Sequence, residues 1–196
     1  VFIRQATPED AEEAAKLICM AWEECACVLA GTTNEKEIQK VIKAFYQQPH
    51  NILSYQNVEI AEGEKGVAGL VLAYPSDYYE QLNKLVAEKL PSIYQSDMTD
   101  FQSKVIPLFK KREAKPGEYY IDSLAVYPQY RSCGVGSRLL KVAHLKSRKR
   151  GIKKISLIVK MGNKAALNLY KKLGYSIRGK LKKADNNYLS MIKINN

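Results

Sequence analysis

Between residues 123 and 184 this 196-residue chain has no aspartate and no glutamate, while the same stretch carries 17 lysines and arginines. The remainder holds 14 basic and 20 acidic residues, so a net −6 elsewhere partly offsets a strongly basic segment within an overall charge of +11. A single-sign block of this kind points to a polyanionic partner, either a phosphorylated ligand or a nucleic acid. Other scarcities exclude whole classes. Four cysteines (Cys19, Cys25, Cys27, Cys133) without CxxC spacing, beside only two histidines, argue against a zinc site and a disulfide framework. Free thiols suit a reducing, cytoplasmic setting. No apolar run approaches the roughly 18 residues that a membrane span needs. The start, Val1-Phe2-Ile3-Arg4, lacks the basic-then-apolar order of a signal peptide. No repeat or low-complexity tract is present.

What is present alternates between strand and helix patterns. Val1–Gln5 reads as a strand. Thr7-Pro8-Glu9-Asp10 supplies a helix start, with Thr as cap, Pro at the first position and acids in the first turn. That helix is expected to continue through Ala11–Ala26. A second, Glu35–Gln47, is capped by Asn34 and carries Ile38, Val41, Ile42 and Phe45 on one face. Val58–Ala61 and Val67–Tyr74 read as strands joined by a glycine-containing hairpin loop. Residues 75–117 are polar and helix-like in two pieces, around 79–90 and 97–111, punctuated by Pro91 and Pro107. They form a helical insertion between the third and fourth strands, which is either a wall of a substrate site or a simple surface excursion. The expectation is one 1–196 domain: an α/β (α+β) sandwich on one largely antiparallel sheet.

The densest signal follows strand-like Tyr119–Val126. Arg131-Ser132-Cys133-Gly134-Val135-Gly136-Ser137 then leads into a helix running to Arg150. Strand, glycine turn and helix start together build an anion site. Glycine lets the backbone come close, and the first helical turn offers unpaired N–H groups at the positive end of the dipole. A strand Ile155–Lys160 follows, then a short helix Lys164–Leu173 capped by Asn163 and stopped by Gly174, then a hairpin of Tyr175–Lys180 and Asn187–Ile194.

The segment from Ile121 to Leu140 resembles the cofactor motif of the GNAT superfamily, the acyl-CoA-dependent N-acyltransferases. The pattern Gln/Arg-x-x-Gly-x-Gly/Ala is met by Arg131, Gly134 and Gly136. A second motif of that superfamily, an Asn-led helix ending in Tyr-x-Lys-x-Gly-Tyr, is met by Asn163, Tyr170, Lys172, Gly174 and Tyr175. The opening Ile3–Ala11 is similar as well. This resemblance implies the GNAT fold: a mixed sheet splayed apart at the cofactor strand, with helices on both faces. It implies acetyl-CoA as cosubstrate and transfer of its acetyl group to a primary amine by direct attack in a ternary complex.

By the same resemblance, backbone N–H groups from Cys133, Gly134, Val135, Gly136 and Ser137, with Arg131 and Ser132 opening the turn, hold the pyrophosphate. The edge of Leu124, Ala125 and Val126 pairs with the pantetheine arm. Val126 N–H meets the developing oxyanion. Asn163 lies near the pantetheine as well as capping its helix, and Arg138 and Lys164 are candidates for the adenosine phosphates. Tyr170 is the candidate acid for the leaving thiolate, with an aromatic packing role as its alternative.

A base is also needed, because a free alkyl amine is protonated at neutral pH. Asp122 is the first candidate and Glu118 the second, with water alone as a further option and a strand carboxylate held in a polar hydrogen-bond network as the structural alternative. Period-two alternation puts Asp122 on one face with Tyr120, Leu124 and Val126. Cys133 reads as a turn residue rather than a nucleophile, and His144 as a surface residue in a basic run. His50 lies in a loop, and Tyr78, Tyr79, Tyr94, Tyr119 and Tyr120 are candidates to line an acceptor pocket. The acceptor remains open between a small-molecule amine and a protein amine, and a homodimer is a family expectation. A non-catalytic acyl-CoA-binding module and a basic nucleic-acid-binding protein are the competing readings.

Overall fold

The computed structural model describes residues 1–183 and 185–194. Its sheet has seven strands: β1 (Phe2–Gln5), β2 (Val58–Gly63), β3 (Gly66–Pro75), β4 (Glu118–Val126), β5 (Lys154–Lys160), β6 (Ser176–Lys183) and β7 (Asn186–Ile194). They lie in the order β1-β2-β3-β4-β5-β7-β6. Every neighbouring pair is antiparallel except β4–β5. The expected mixed, largely antiparallel sheet is therefore the observed one.

Helices cover both faces. On one side lie α1 (Ala11–Trp22), α2 (Glu24–Ala30), α3 (Glu35–Tyr46) and α4 (Tyr79–Ile93). They bury an apolar core that includes Leu17, Ile18, Leu29, Ile42, Phe45, Leu70, Leu72 and Leu90. On the other side α7 (Val135–Lys149) and α8 (Lys164–Lys172) close a second core with Val71, Ile121, Leu139, Leu140, Leu157 and Met191. The residues between β3 and β4 contain α4, then α5 (Met98–Asp100), a π-type stretch Phe101–Val105 and α6 (Ile106–Lys110). Phe101 and Val105 anchor this excursion to the first core.

Three local features depart from the sequence reading. First, the helix expected over residues 11–26 is two helices. Glu23 adopts φ 47°, ψ −121° and separates α1 from α2. No glycine or proline marks that break, and it leaves Trp22 at the last position of α1. Second, α4 runs to Ile93 with Pro91 inside its final turn. Proline there forfeits one hydrogen bond near a helix end, which is the cheaper place to lose it.

Third, His144 is not on the surface. It is 7% exposed, and its Nε2 lies 2.7 Å from Tyr175 Oη. The basic residues around it in sequence disguise its position on the α7 face that also carries Leu140, Ala143 and Ser147, all buried.

Burial of His144 disfavours the imidazolium and pulls its pKa down from 6.5 to about 4. A group whose folded pKa is depressed stabilises the fold above its unfolded pKa, and that contribution drains away as pH falls towards the folded value. Stability measured by denaturant melts should therefore decline between pH 6.5 and 4, at most by about 1.4 kcal/mol per pH unit from this group. His144→Gln should flatten that interval. An unchanged slope in the variant would show that His144 is not its source.

Candidate active site

Strands β4 and β5 pair over only four residues each, from Glu118↔Lys154 to Ile121↔Leu157. Beyond that point both continue, β4 to Val126 and β5 to Lys160, without pairing to each other. The result is a wedge through the middle of the sheet, the splay anticipated above. It opens a cleft of ≈ 830 Å³ bordered by Ile121–Val126 on one side and Ile158–Lys160 on the other. The turn before α7 and the exposed side of α8 complete its walls.

At the mouth of the wedge β4 carries a bulge. The β3–β4 register jumps from Leu72↔Ser123 to Ala73↔Ile121, so Asp122 is the extra residue. A bulge inverts the in–out alternation that follows it. Tyr120 packs in the α1–α3 core, yet Leu124 and Val126 pack in the α7 core. The expectation that Asp122 shares a face with Leu124 and Val126 is thus corrected. Asp122 and Ser123 both turn towards α1, where Trp22 Nε1 donates to Asp122 Oδ1 at 2.9 Å and to Ser123 Oγ at 2.8 Å. Tyr74 Oη donates to Asp122 Oδ2 at 2.8 Å.

Gly69 on β3 makes the approach to β4 this close. A Cβ there would stand 2.5 Å from the Ala125 carbonyl oxygen.

The free edge of β4 supplies backbone groups. Tyr127 N–H donates back to Ala68 O at 3.0 Å on β3. By alternation the N–H groups of Leu124 and Val126 point the other way, into the cleft. Val126 C=O points there too and accepts from Arg131 Nε at 3.0 Å. The Arg131 side chain therefore braces the end of β4.

The turn itself holds Ser132 at φ 60° and Gly134 at φ 78°, the left-handed region where glycine carries no Cβ penalty. Val135, Gly136 and Ser137 then present the unpartnered amides of the first turn of α7 to the cleft. Across from them, Asn163 caps α8, its Oδ1 accepting from Ala166 N–H at 3.0 Å, and also lines the cleft. Cys133, in the same turn, is exposed.

Tyr170, on α8, lines the cleft with its ring 6% exposed and stacked edge-on against Tyr175 at 5.7 Å. Burial pushes its phenol far above the usual value, so it stays protonated at neutral pH. Among the described residues its hydroxyl has no hydrogen-bond partner. Lys160, at the end of β5, reaches across the cleft to Glu23 at 2.6 Å and Glu24 at 3.4 Å.

The two candidate carboxylates separate clearly. Asp122 borders the cleft, and burial raises its pKa despite the nearby Lys183. Glu118 sits at the start of β4, 2% exposed, ion-paired with Arg178 and accepting from Lys115 N–H at 2.9 Å. It lines neither the cleft nor the pocket described next.

That second, smaller pocket of ≈ 40 Å³ adjoins the cleft. Trp22, Cys25, Glu113, Asp122 and Lys183 border both. Glu113, just past α6, is ion-paired with Lys183 of β6 at 2.5 Å and accepts from Tyr120 Oη. Leu108, Phe109, Arg112, Glu113 and Ala114 of the insertion line this pocket. Of the tyrosines singled out from sequence, Tyr79 and Tyr120 line it. Tyr78 is exposed, Tyr94 stacks on Phe101, and Tyr119 lies in the opposite core. Sequence reasoning missed Trp22, Tyr74, Glu113 and Lys183. Only the singularity of Trp22 marks any of them in advance. Burial pushes the Cys25 thiol up and keeps it neutral.

Trp22 is the chain's single tryptophan, so its emission reports this network directly. Acid titration should reveal a transition with its midpoint above the ordinary aspartate value of 3.8, before loss of far-UV dichroism. Asp122→Asn should abolish it. A midpoint at or below 3.8 would contradict the buried placement of Asp122.

Residues 33–175 match the acetyltransferase (GNAT) family. Among solved structures, an N-acetyltransferase from Staphylococcus aureus Mu50 is similar over 98% of this chain and 100% of its own, at 26% identity and a TM-score of 0.79. A further acetyltransferase matches over the whole of both chains at 22% identity and a TM-score of 0.75. A ribosomal-protein-alanine N-acetyltransferase from Brucella melitensis shares the fold at 18% identity over 99% of each chain, with a TM-score of 0.59. With the splayed β4–β5 wedge and the glycine turn before α7, these matches establish that the chain is an acyltransferase and belongs to the acetyltransferase (GNAT) family.

Proposed function

We propose that the chain transfers the acetyl group of acetyl-CoA directly to a primary amine, with both substrates bound at once. Members of the family generally use acetyl-CoA. The observation that carries the reading is the wedge, where an unpaired β4 edge, an amide-rich helix start and a protonated buried phenol face one cleft. The pantetheine arm pairs with the outward N–H groups of Leu124 and Val126 as an added strand would. The amides of residues 133–137 receive the pyrophosphate, where the helix dipole favours negative charge. The acid-free segment, which contains this turn, keeps carboxylates away from the phosphates.

In the reaction the amine nitrogen bonds to the thioester carbonyl carbon. Charge develops on the carbonyl oxygen at the Asp122 end of this edge, where a backbone amide of β4 is the donor. The carbon–sulfur bond then breaks and its electron pair leaves with sulfur. Tyr170 gives that sulfur a proton. The proton lost by nitrogen passes to Asp122, directly or through one water. Asp122 has the advantage of position over Glu118, whose carboxylate is held by Arg178.

Replacing Tyr170 tests this assignment. Tyr170→Phe should retain the thermal shift produced by acetyl-CoA, which at about 100 times the dissociation constant amounts to roughly 2.7 kcal/mol. Its turnover should fall by about 10²-fold or more. Full activity in the variant would remove Tyr170 from the chemistry. Absence of any acetyl-CoA shift in the parent protein would remove the cosubstrate.

A further inference from the structure

The acetyl-transfer reading leaves the acceptor open, and the pocket beneath α6 narrows it. We propose that the acceptor is a small monoamine with a compact apolar tail, its nitrogen at Asp122 and its tail in this pocket. The inference rests on the acetyl-transfer reading and adds a substrate class to it.

Three properties of the pocket converge. The first is position. Asp122 borders both the cleft and the pocket, so a molecule seated in the pocket presents its amine at the β4 bulge, beside the cleft.

The second is size. A volume of ≈ 40 Å³ is far below the roughly 150 Å³ that admits a benzene ring, so only a short tail fits. The insertion sets this limit by laying Leu108 and Phe109 over the pocket, and the Tyr79 hydroxyl ties that segment down by donating to Phe109 O at 3.0 Å.

The third is charge. At the junction two carboxylates, Asp122 and Glu113, face one lysine, Lys183, which leaves a single negative charge to welcome a single ammonium. Arg112 at the rim is occupied: it pairs with Glu80 at 2.5 Å and stacks over the Tyr79 ring at 5.8 Å. The other walls are apolar side chains such as Ile52 and Phe109, with the rings of Tyr74, Tyr79 and Tyr120 and the Ser76 hydroxyl, all of whose hydroxyls already donate elsewhere. A second ammonium, a sugar hydroxyl array or a peptide backbone placed there would lose water without gaining matching partners.

Thiol release from acetyl-CoA should therefore be measured with propylamine, spermidine and the tripeptide Ala-Gly-Gly. Propylamine is expected to show a kcat/KM at least about tenfold above the other two. Spermidine or the tripeptide matching or exceeding it overturns the proposal. Phe109→Ala should enlarge the pocket and raise the hexylamine-to-propylamine ratio of kcat/KM by about tenfold or more, the scale on which methylene contacts discriminate. An unchanged ratio overturns the proposal as well.

Retention of the acetyl-CoA thermal shift shows that the variant is folded, and Leu108→Ala makes the same test should Phe109→Ala not fold. If acetyl-CoA binds but no amine releases thiol, the transfer reading itself has failed. Good turnover with the wrong amine defeats only the present inference.

Discussion

The site depends on one interruption of hydrogen bonding. β4 and β5 are paired through Ile121 and Leu157 and then part. Backbone donors and acceptors left unpaired inside a sheet are costly unless water or a ligand meets them. In this protein the divergence turns the outward N–H groups of Leu124 and Val126 into the cleft, where the proposed reading pairs them with the amide-bearing pantetheine arm. The bulge at Asp122 sits where the strands part, and it redirects two consecutive polar side chains towards α1. Arg131 fixes the far end of the same edge through the Val126 carbonyl. Gly69 lets β3 approach β4 from behind. Cleft, edge and carboxylate thus share one cause.

The two ends of the cleft are chemically distinct. The end at the turn before α7 is made of backbone amides on a segment free of acidic residues, so a field favourable to an anion there comes from oriented dipoles as well as from lysine and arginine. The opposite end is bounded by side chains from four separate places: Trp22 closing α1, Asp122 in β4, Glu113 after α6 and Lys183 ending β6. Their mutual contacts, indole to carboxylate and lysine to glutamate, hold a partly buried charge cluster together. The insertion therefore walls the smaller pocket and lies away from the turn before α7.

The division between what was legible in sequence and what was not follows this geometry. The glycine turn before α7, Asn163 as a helix cap and the Gly174 stop are local patterns, readable because each rests on neighbours within a few residues. The β4 edge was equally readable as a strand. Face assignment along it failed after Asp122, because period-two reasoning assumes an unbulged strand, and a bulge has no reliable single-sequence mark. His144 was misjudged because its charged sequence neighbours hid the buried face of α7. The α1–α2 break at Glu23 has no glycine or proline to announce it. Trp22, Glu113 and Lys183 come together only through tertiary packing across more than 150 residues of sequence, and no spacing rule reaches that far.

Amide hydrogen exchange, read residue by residue with and without acetyl-CoA, tests the central claim most directly. The account predicts slowed exchange at Leu124 and Val126 on the β4 edge together with Val135, Gly136 and Ser137 at the start of α7. Unchanged exchange at Leu124 and Val126 in a protein saturated with acetyl-CoA would contradict it, since the open edge of β4 would then not be where the ligand lies.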